Sequence, residues 1–488
     1  MKRSERKESC SGYLTVYLSL ILAVLLSLFL ALLEGAGSNA VRVEAECVTE
    51  IGLNSILAEY HQELLSQYNL FAIDSSYGTR NTGVEDMTGH LLNYLDRNLS
   101  MDDIFLGEYL YRDFLGISVD SVELTGGTIL TDGNGAVFRQ RAVEAMQDDC
   151  NLTLLRDLQQ WMQVMEDNDL RNRDISTEKS ATDAQIQAYD GREIQISEEE
   201  WTTIHIENPT TGLEQIRNSG ILKYVVEDVE LLSENMLSTE HLVVSRIAGN
   251  QMNKGNMAIE DSTTNQLEER FFFQEYLLRY LGHYGAEREE SALSYQVEYL
   301  LGNNDTDVAN LKEVVNIICA IREAANTLYL FSDAEKCAEA EGLATLVATL
   351  CLVPEIAPLL KVTLLMGWAY AESLYDVEVL LAGGRIPLMK DRSDWHYDLE
   401  SALSLRECAA TETSRGLGYE DYLRILLMFV DLDTLTGRAM NMVEADIRQT
   451  RGNSSFRLDN CFAQVEFHIH FKSASGYECE ITRKKKYL

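Results

Sequence analysis

The sequence predicts an α+β protein, mainly helical: a long N-terminal transmembrane and stalk helix, a small α+β unit, and a helical C-terminal domain ending in a β-hairpin. Three observations predict it. Tyr13 to Leu33 form an uncharged apolar run. Only four prolines occur and the first is Pro209, so the chain before it is free of the strongest helix breaker. Near the C-terminus Val465, Phe467, Ile469 and Phe471 alternate with Glu466, His468 and His470, a period of two that marks a strand.

The apolar run comes first. At a helical rise of about 1.5 Å per residue, residues 13–33 span about 30 Å, the thickness of a bilayer core. Lys2, Arg3, Arg6 and Lys7 precede it, whereas Glu34, Glu44, Glu46 and Glu50 follow. The positive-inside rule puts residues 1–12, a basic tail, in the cytoplasm and the bulk of a single-pass protein outside the cell membrane. The competing reading is a cleaved signal peptide with its site at Ala36, Gly37 and Ser38; the length of the run argues against it.

Beyond the bilayer the helical pattern continues. Leu53, Leu57, Tyr60, Leu64 and Tyr68 recur every three or four residues, predicting a stalk helix over 34–71 and a helix of about 55 residues in all. Their stripe needs a cover, either the protein's own ectodomain or a partner helix, so these five residues are interaction candidates. Glu34 is a sixth: closing the span, it either lies among headgroups or pairs with a cation on a neighbouring helix.

Composition narrows the partners. A net charge of −37 repels phosphate backbones and excludes nucleic acid, while 46% hydrophobic residues suffice for packed cores. Cys10 precedes the span and eight cysteines follow it, none in a CxxC pair, so a thiolate metal site is not expected. Cys461 and Cys479 flank a short turn and are the candidate disulfide.

Residues 72–165 read as the small α+β unit. Strands are expected at 117–124 and 127–130, a turn at Asp132-Gly133-Asn134-Gly135, and helices at Ala136–Met146 and Leu152–Met165. The polar, acidic stretch 166–203 reads as a linker. Residues 204–488 then form the helical domain, with amphipathic faces at Leu311, Val314, Val315 and Ile318 and at Leu423, Leu426, Leu427 and Val430. The most apolar stretch, Gly342 to Ala371, is broken by Pro354, Glu355, Pro358 and Lys361 into pieces too short to cross a bilayer, which predicts a buried helical hairpin.

Catalytic motifs are missing from the sequence: it contains no HExxH, GxSxG, P-loop, GxGxxG or EF-hand loop. Asn304-Asp305-Thr306-Asp307 is better explained as a helix cap than as a calcium loop. His468 and His470 share a strand face that could seat a metal but lack a third ligand. No catalytic residue, cofactor, metal site or small-molecule substrate is nominated.

The run SGYLTVYLSLILAVLLSLFLALLEGA, followed by NAVRVEAECVTEIGLNSILAEYHQELLSQYNLFAID, resembles an uncharacterised family of TadE/TadG-like proteins encoded with tight-adherence (Tad) pilus systems of Gram-positive bacteria. ALSYQVEYLLGNNDTDVANLKEVVN, LMGWAYAESLYDVEVLLAGGRIPLMK and GLGYEDYLRILL extend the resemblance over most of the chain outside the acidic stretch. It implies a minor pseudopilin-like component of a pilus or secretion apparatus, with the bilayer and other envelope proteins as partners and no catalysis. An anchored hydrolase is the alternative. One departure stands out. Prepilin peptidases cut after a glycine with a glutamate five residues on, and after Gly12 that place holds Tyr17.

Overall fold

The computed structural model describes residues 11–80, 83–100, 115–147, 152–197, 200–249, 266–405 and 415–487. The architecture is α+β and mainly helical, as the sequence predicts. Helix α1 (Ser11–Leu57) is continuous through the apolar run, whose side chains are exposed on every face. It is long and apolar enough to cross a membrane. From Val41 onward its character changes. Val41, Ala45, Val48, Gly52 and Ile56 are buried, spaced four, three, four and four residues apart. Gly52 faces α3 (Glu85–Leu99) closely; a Cβ there would lie 2.9 Å from Leu95 and 3.1 Å from Leu91.

Helix α1 stops earlier than the predicted stalk. After Leu57 the chain turns into a separate short helix, α2 (Gln62–Tyr68), so the stripe read as one face belongs to two helices. Local chemistry fixes the turn. The Glu59 carboxylate accepts from the Tyr77 and Tyr94 hydroxyls, each at 2.6 Å, and lies 3.0 Å from the His90 ring. His61 caps α2 by accepting the Leu64 N–H at 3.2 Å, and Asn69, at φ 52°, ends it.

Strands β1 (Ile73–Asp74) and β2 (Ile117–Ile129) pair with a strand from the other end of the chain. Apart from these, β3 (Glu193–Ser197) and β4 (Glu200–Thr203) make a small hairpin. The centre of the main sheet is β5 (Cys461–Ser473), with β2 antiparallel along one edge and β6 (Glu478–Lys486) along the other. Val465, Phe467, Ile469 and Phe471 point inward with Ile481, onto α1 and α3. This corrects two expectations. The strand pieces 117–124 and 127–130 are one bulged strand, and the C-terminal hairpin joins the sheet of the small unit rather than the 204–488 domain. Pairing between residues from opposite ends of the chain, as for Gly126 and Glu466, leaves no trace in local periodicity.

The expected disulfide is corrected as well. Cys461 lies opposite Asp74 at one end of β5, while Cys479 lies opposite Phe471, ten residues further along the strand, a separation of about 33 Å. Both are buried free thiols. The register puts the hairpin turn at Ala474–Gly476, so residues flanking it pair and Cys461 runs far past it.

The rest is a helical body around the helices Asp307–Ser332 and Ala357–Leu381, whose residues are mostly buried. Gly342 to Ala371 spans two helices with a turn at Leu352–Ile356, the second helix deep in the body. Residues 166–203 are not a bare linker. They hold the helix Ile175–Gln187, capped by Asp174 and docked through Ile175, Lys179 and Ile186. Buried Lys179 reaches Asp183 at 2.6 Å and Glu214 at 2.8 Å. Surface charge on the other faces of that helix makes the segment read as polar throughout.

Candidate functional site

The predicted interaction residues do not form one surface. Leu53 is buried in the cluster between α1, α3 and the sheet, whereas Leu64 and Tyr68 lie in the core of the helical body. Leu57 is half-buried, and Tyr60 stacks edge-on against Phe71 at 5.3 Å. The protein itself covers the stripe. Glu34 is exposed on α1, about 10 Å below the first buried residue, Val41.

What the stripe does build is a joint. Tyr68 donates its hydroxyl to the buried Asp446 carboxylate, which also accepts from Ala292 N–H at 2.7 Å and Gln296 Nε2 at 2.6 Å. Tyr276 donates to the Tyr68 carbonyl at 2.7 Å. Burial pushes the Asp446 carboxyl above its ordinary range in spite of these donors. His61 lies at the elbow itself, its ring 4.7 Å from that of Phe456, and burial lowers its pKa. A His whose folded pKa is depressed contributes stability that is complete above its unfolded value of about 6.5 and is lost as pH falls below it. Protonation also removes the lone pair that caps α2. Relative to a His61→Asn variant, which keeps a capping acceptor without titrating there, the wild type should lose protection of the Leu64 amide between pH 7 and pH 5 in hydrogen exchange.

A face of α1 that the sequence reading did not single out remains bare. Val43 and Ile51 are 61% and 48% exposed, with exposed Cys47 between them. Spaced by four, they carry the apolar surface of the span upward along the helix.

The densest chemistry lies elsewhere, in a buried ionic centre. Glu372 and Asp376, four apart on the helix Ala357–Leu381, face Arg322 and Asn326 of the helix Asp307–Ser332 and Lys390 of the following loop. Arg322 donates Nε to Asp376 at 2.9 Å and Nη1 to the Pro387 and Leu388 carbonyls at 2.8 and 2.7 Å. Lys390 Nζ contacts both carboxylates, Asp376 Oδ1 at 2.5 Å. Glu372 accepts from His396 N–H at 2.9 Å and Tyr397 N–H at 3.0 Å. Burial pushes the Glu372 carboxyl up; burial opposes ionisation of Asp376 too, but Lys390 and Arg322 outweigh it and hold that carboxyl low. Beside the centre lies an open groove of about 260 Å³ lined by Lys336, Trp368, Arg392 and Trp395, among others. Lys336 Nζ sits 4.2 and 4.7 Å from the two indole centroids.

Sequence reading passed over these residues although a signal was present. Two carboxylates one turn apart inside a mostly apolar helix must be partnered if that face is buried, because an unpaired buried charge is too costly to keep. The histidine pair is simpler. His470 meets Asp120 at 3.0 Å and His468 meets Thr482 at 2.9 Å on the outer sheet face, and among the described residues no group of three or more His, Cys, Asp or Glu side chains is arranged to hold a metal ion.

Residues 199–473 match the family of unknown function DUF5702. The chain belongs to that family. The DUF5702 match contains the whole ionic centre and ends with β5, leaving α1, β2 and β6 outside it. No curated protein and no solved structure matches the chain.

Proposed function

We propose that this DUF5702 protein is a structural, non-enzymatic component of an envelope assembly of the tight-adherence pilus kind, anchored by α1 with its bulk outside the cytoplasm. The observation that carries the reading is the continuity of α1. The helix that is bare and apolar over a bilayer's thickness becomes, a few residues on, a wall of the folded domain. One continuous helix therefore joins anchor and domain without an intervening loop, which suits a scaffold. The bare residues Val43, Cys47 and Ile51 give neighbouring anchor helices in the same bilayer a lateral contact. The resemblance to TadE/TadG-like proteins adds the class of assembly.

Two measurements test the anchor and its orientation. Carbonate-washed membranes should retain the protein, because an uncharged span of 21 residues resists extraction. On intact cells a membrane-impermeant maleimide should label Cys47, with the signal falling in a Cys47→Ser variant. Release of an ectodomain that begins near Ser38, or labelling only after lysis, would refute the corresponding part of the reading.

A further inference from the structure

The side chains of Lys390, Glu372 and Asp376 are each 0% exposed. One ammonium thus touches two carboxyl groups in a site from which water is excluded, with the Trp395 and Tyr375 rings 5.5 and 6.0 Å away. The two carboxyls are set up differently. Asp376 is held as an anion by Arg322 Nε at 2.9 Å and Asn326 Nδ2 at 3.0 Å. Among the described residues Glu372 is ion-paired with Lys390, and its oxygens face the backbone N–H groups of His396 and Tyr397. Desolvation raises its carboxyl, which favours the neutral acid. Amine, acid, base and one backbone N–H donor on each Glu372 oxygen are therefore in contact without any further movement.

We propose that Lys390 and Glu372 condense into an intramolecular isopeptide bond, with Asp376 as the general base. Asp376 Oδ1 takes one proton from the Lys390 ammonium. The freed lone pair forms a bond to Glu372 Cδ, and the carbonyl electron pair moves onto Oε2, where the Tyr397 N–H stabilises it. The carbonyl then re-forms, and Oε1 departs as water with its own proton and the second proton of the nitrogen. Ammonium, carboxylate and carboxylic acid give an amide, water and a protonated Asp376, so atoms and charge balance and no co-reactant is consumed. Fixed contact supplies the drive: effective molarities of well-oriented groups reach about 10⁵ M or more. Exclusion of water keeps the amide from reverting. The bond would tie the loop through 382–390 onto the helix Ala357–Leu381 covalently, independently of whether α1 anchors the protein.

Mass spectrometry of the full chain decides it. Trypsin should yield residues 362–385 joined to 386–392, uncleaved at Lys390, at one water less than the summed masses. Glu372→Gln should give the same conjugate with ammonia lost in place of water, so that its mass falls one ammonia below the summed variant peptides, which separates a bond at this site from dehydration elsewhere. Asp376→Asn keeps both reacting groups and should lower the conjugate at least tenfold at equal times after synthesis. Unlinked wild-type peptides, with cleavage at Lys390 and no water lost, would overturn the proposal without reliance on any variant. So would a conjugate that persists at the wild-type level in Lys390→Arg.

Discussion

Replacing Arg322 by leucine should destabilise the helical body by about 3–5 kcal/mol, the cost of removing one partner from a buried ion pair. The guanidinium is fully buried and donates to Asp376, to the Pro387 and Leu388 carbonyls at 2.8 and 2.7 Å, to the Tyr422 hydroxyl at 3.3 Å and to Asn326 Oδ1 at 3.3 Å. Leucine fills part of the volume but donates nothing. Among the described residues Asp376 then keeps the Lys390 nitrogen and Asn326, while the buried Leu388 carbonyl and the half-buried Pro387 carbonyl lose their donor, a loss of about 1–3 kcal/mol for a buried group where nothing replaces it. Arg322→Lys restores charge without the planar fork and should recover only part of the loss. Hydrogen exchange in the helix Ala357–Leu381 of the full chain reads the effect: protection should fall by two orders of magnitude or more in the leucine variant. Protection in α3, whose core is separate, should change little. Wild-type protection around Asp376 would show that the network contributes no net stability.

The fold class was legible because it rests on local signals. An uncharged run, scarce prolines and period-two alternation each act over one element, and α1, the helical body and the strand β5 follow from them. What failed was long-range or hidden. The stripe Leu53 to Tyr68 has helical spacing across an elbow, since Leu53 and Leu64 satisfy one period while facing different cores. The helix Ile175–Gln187 was lost because its few docking residues are set among exposed charges. The disulfide failed on register, which a turn of uncertain length does not specify. The ionic centre was missed for another reason: its members come from positions 322, 372, 376 and 390, and only the Glu372–Asp376 pair is visible as a local anomaly. The bare face of α1 is the converse case. Val43 and Ile51 have the same spacing as the buried residues, and only the packing of α3 and the sheet decides which side of the helix is covered.

Val43→Glu combined with Ile51→Glu should abolish co-purification with neighbouring envelope proteins while leaving the protein folded and membrane-bound. Both side chains are exposed, so neither core loses a contact and the fold should be unaffected. Neither lies in the apolar run, so the anchor is untouched as well. If a neighbouring helix covers the pair, each residue contributes about 1.5–3 kcal/mol of apolar burial, and the two together are worth about a hundredfold or more in affinity. Introducing carboxylates adds a desolvation cost to that loss. The surrounding charge sharpens the comparison, since Glu44, Glu46 and Glu50 already make this stretch of α1 acidic and two more carboxylates repel any acidic neighbour. Conservative Val43→Ala and Ile51→Val changes should weaken recovery in proportion to the apolar area removed, whereas Arg42→Gln should have little effect, because its exposed pairing with Glu46 at 3.2 Å is weak. Detergent-solubilised pull-down, with circular dichroism as the folding control, makes the measurement. Equal recovery of partners by wild type and the double glutamate variant would remove lateral association through α1 from the proposed function, even if carbonate washing had already established the anchor.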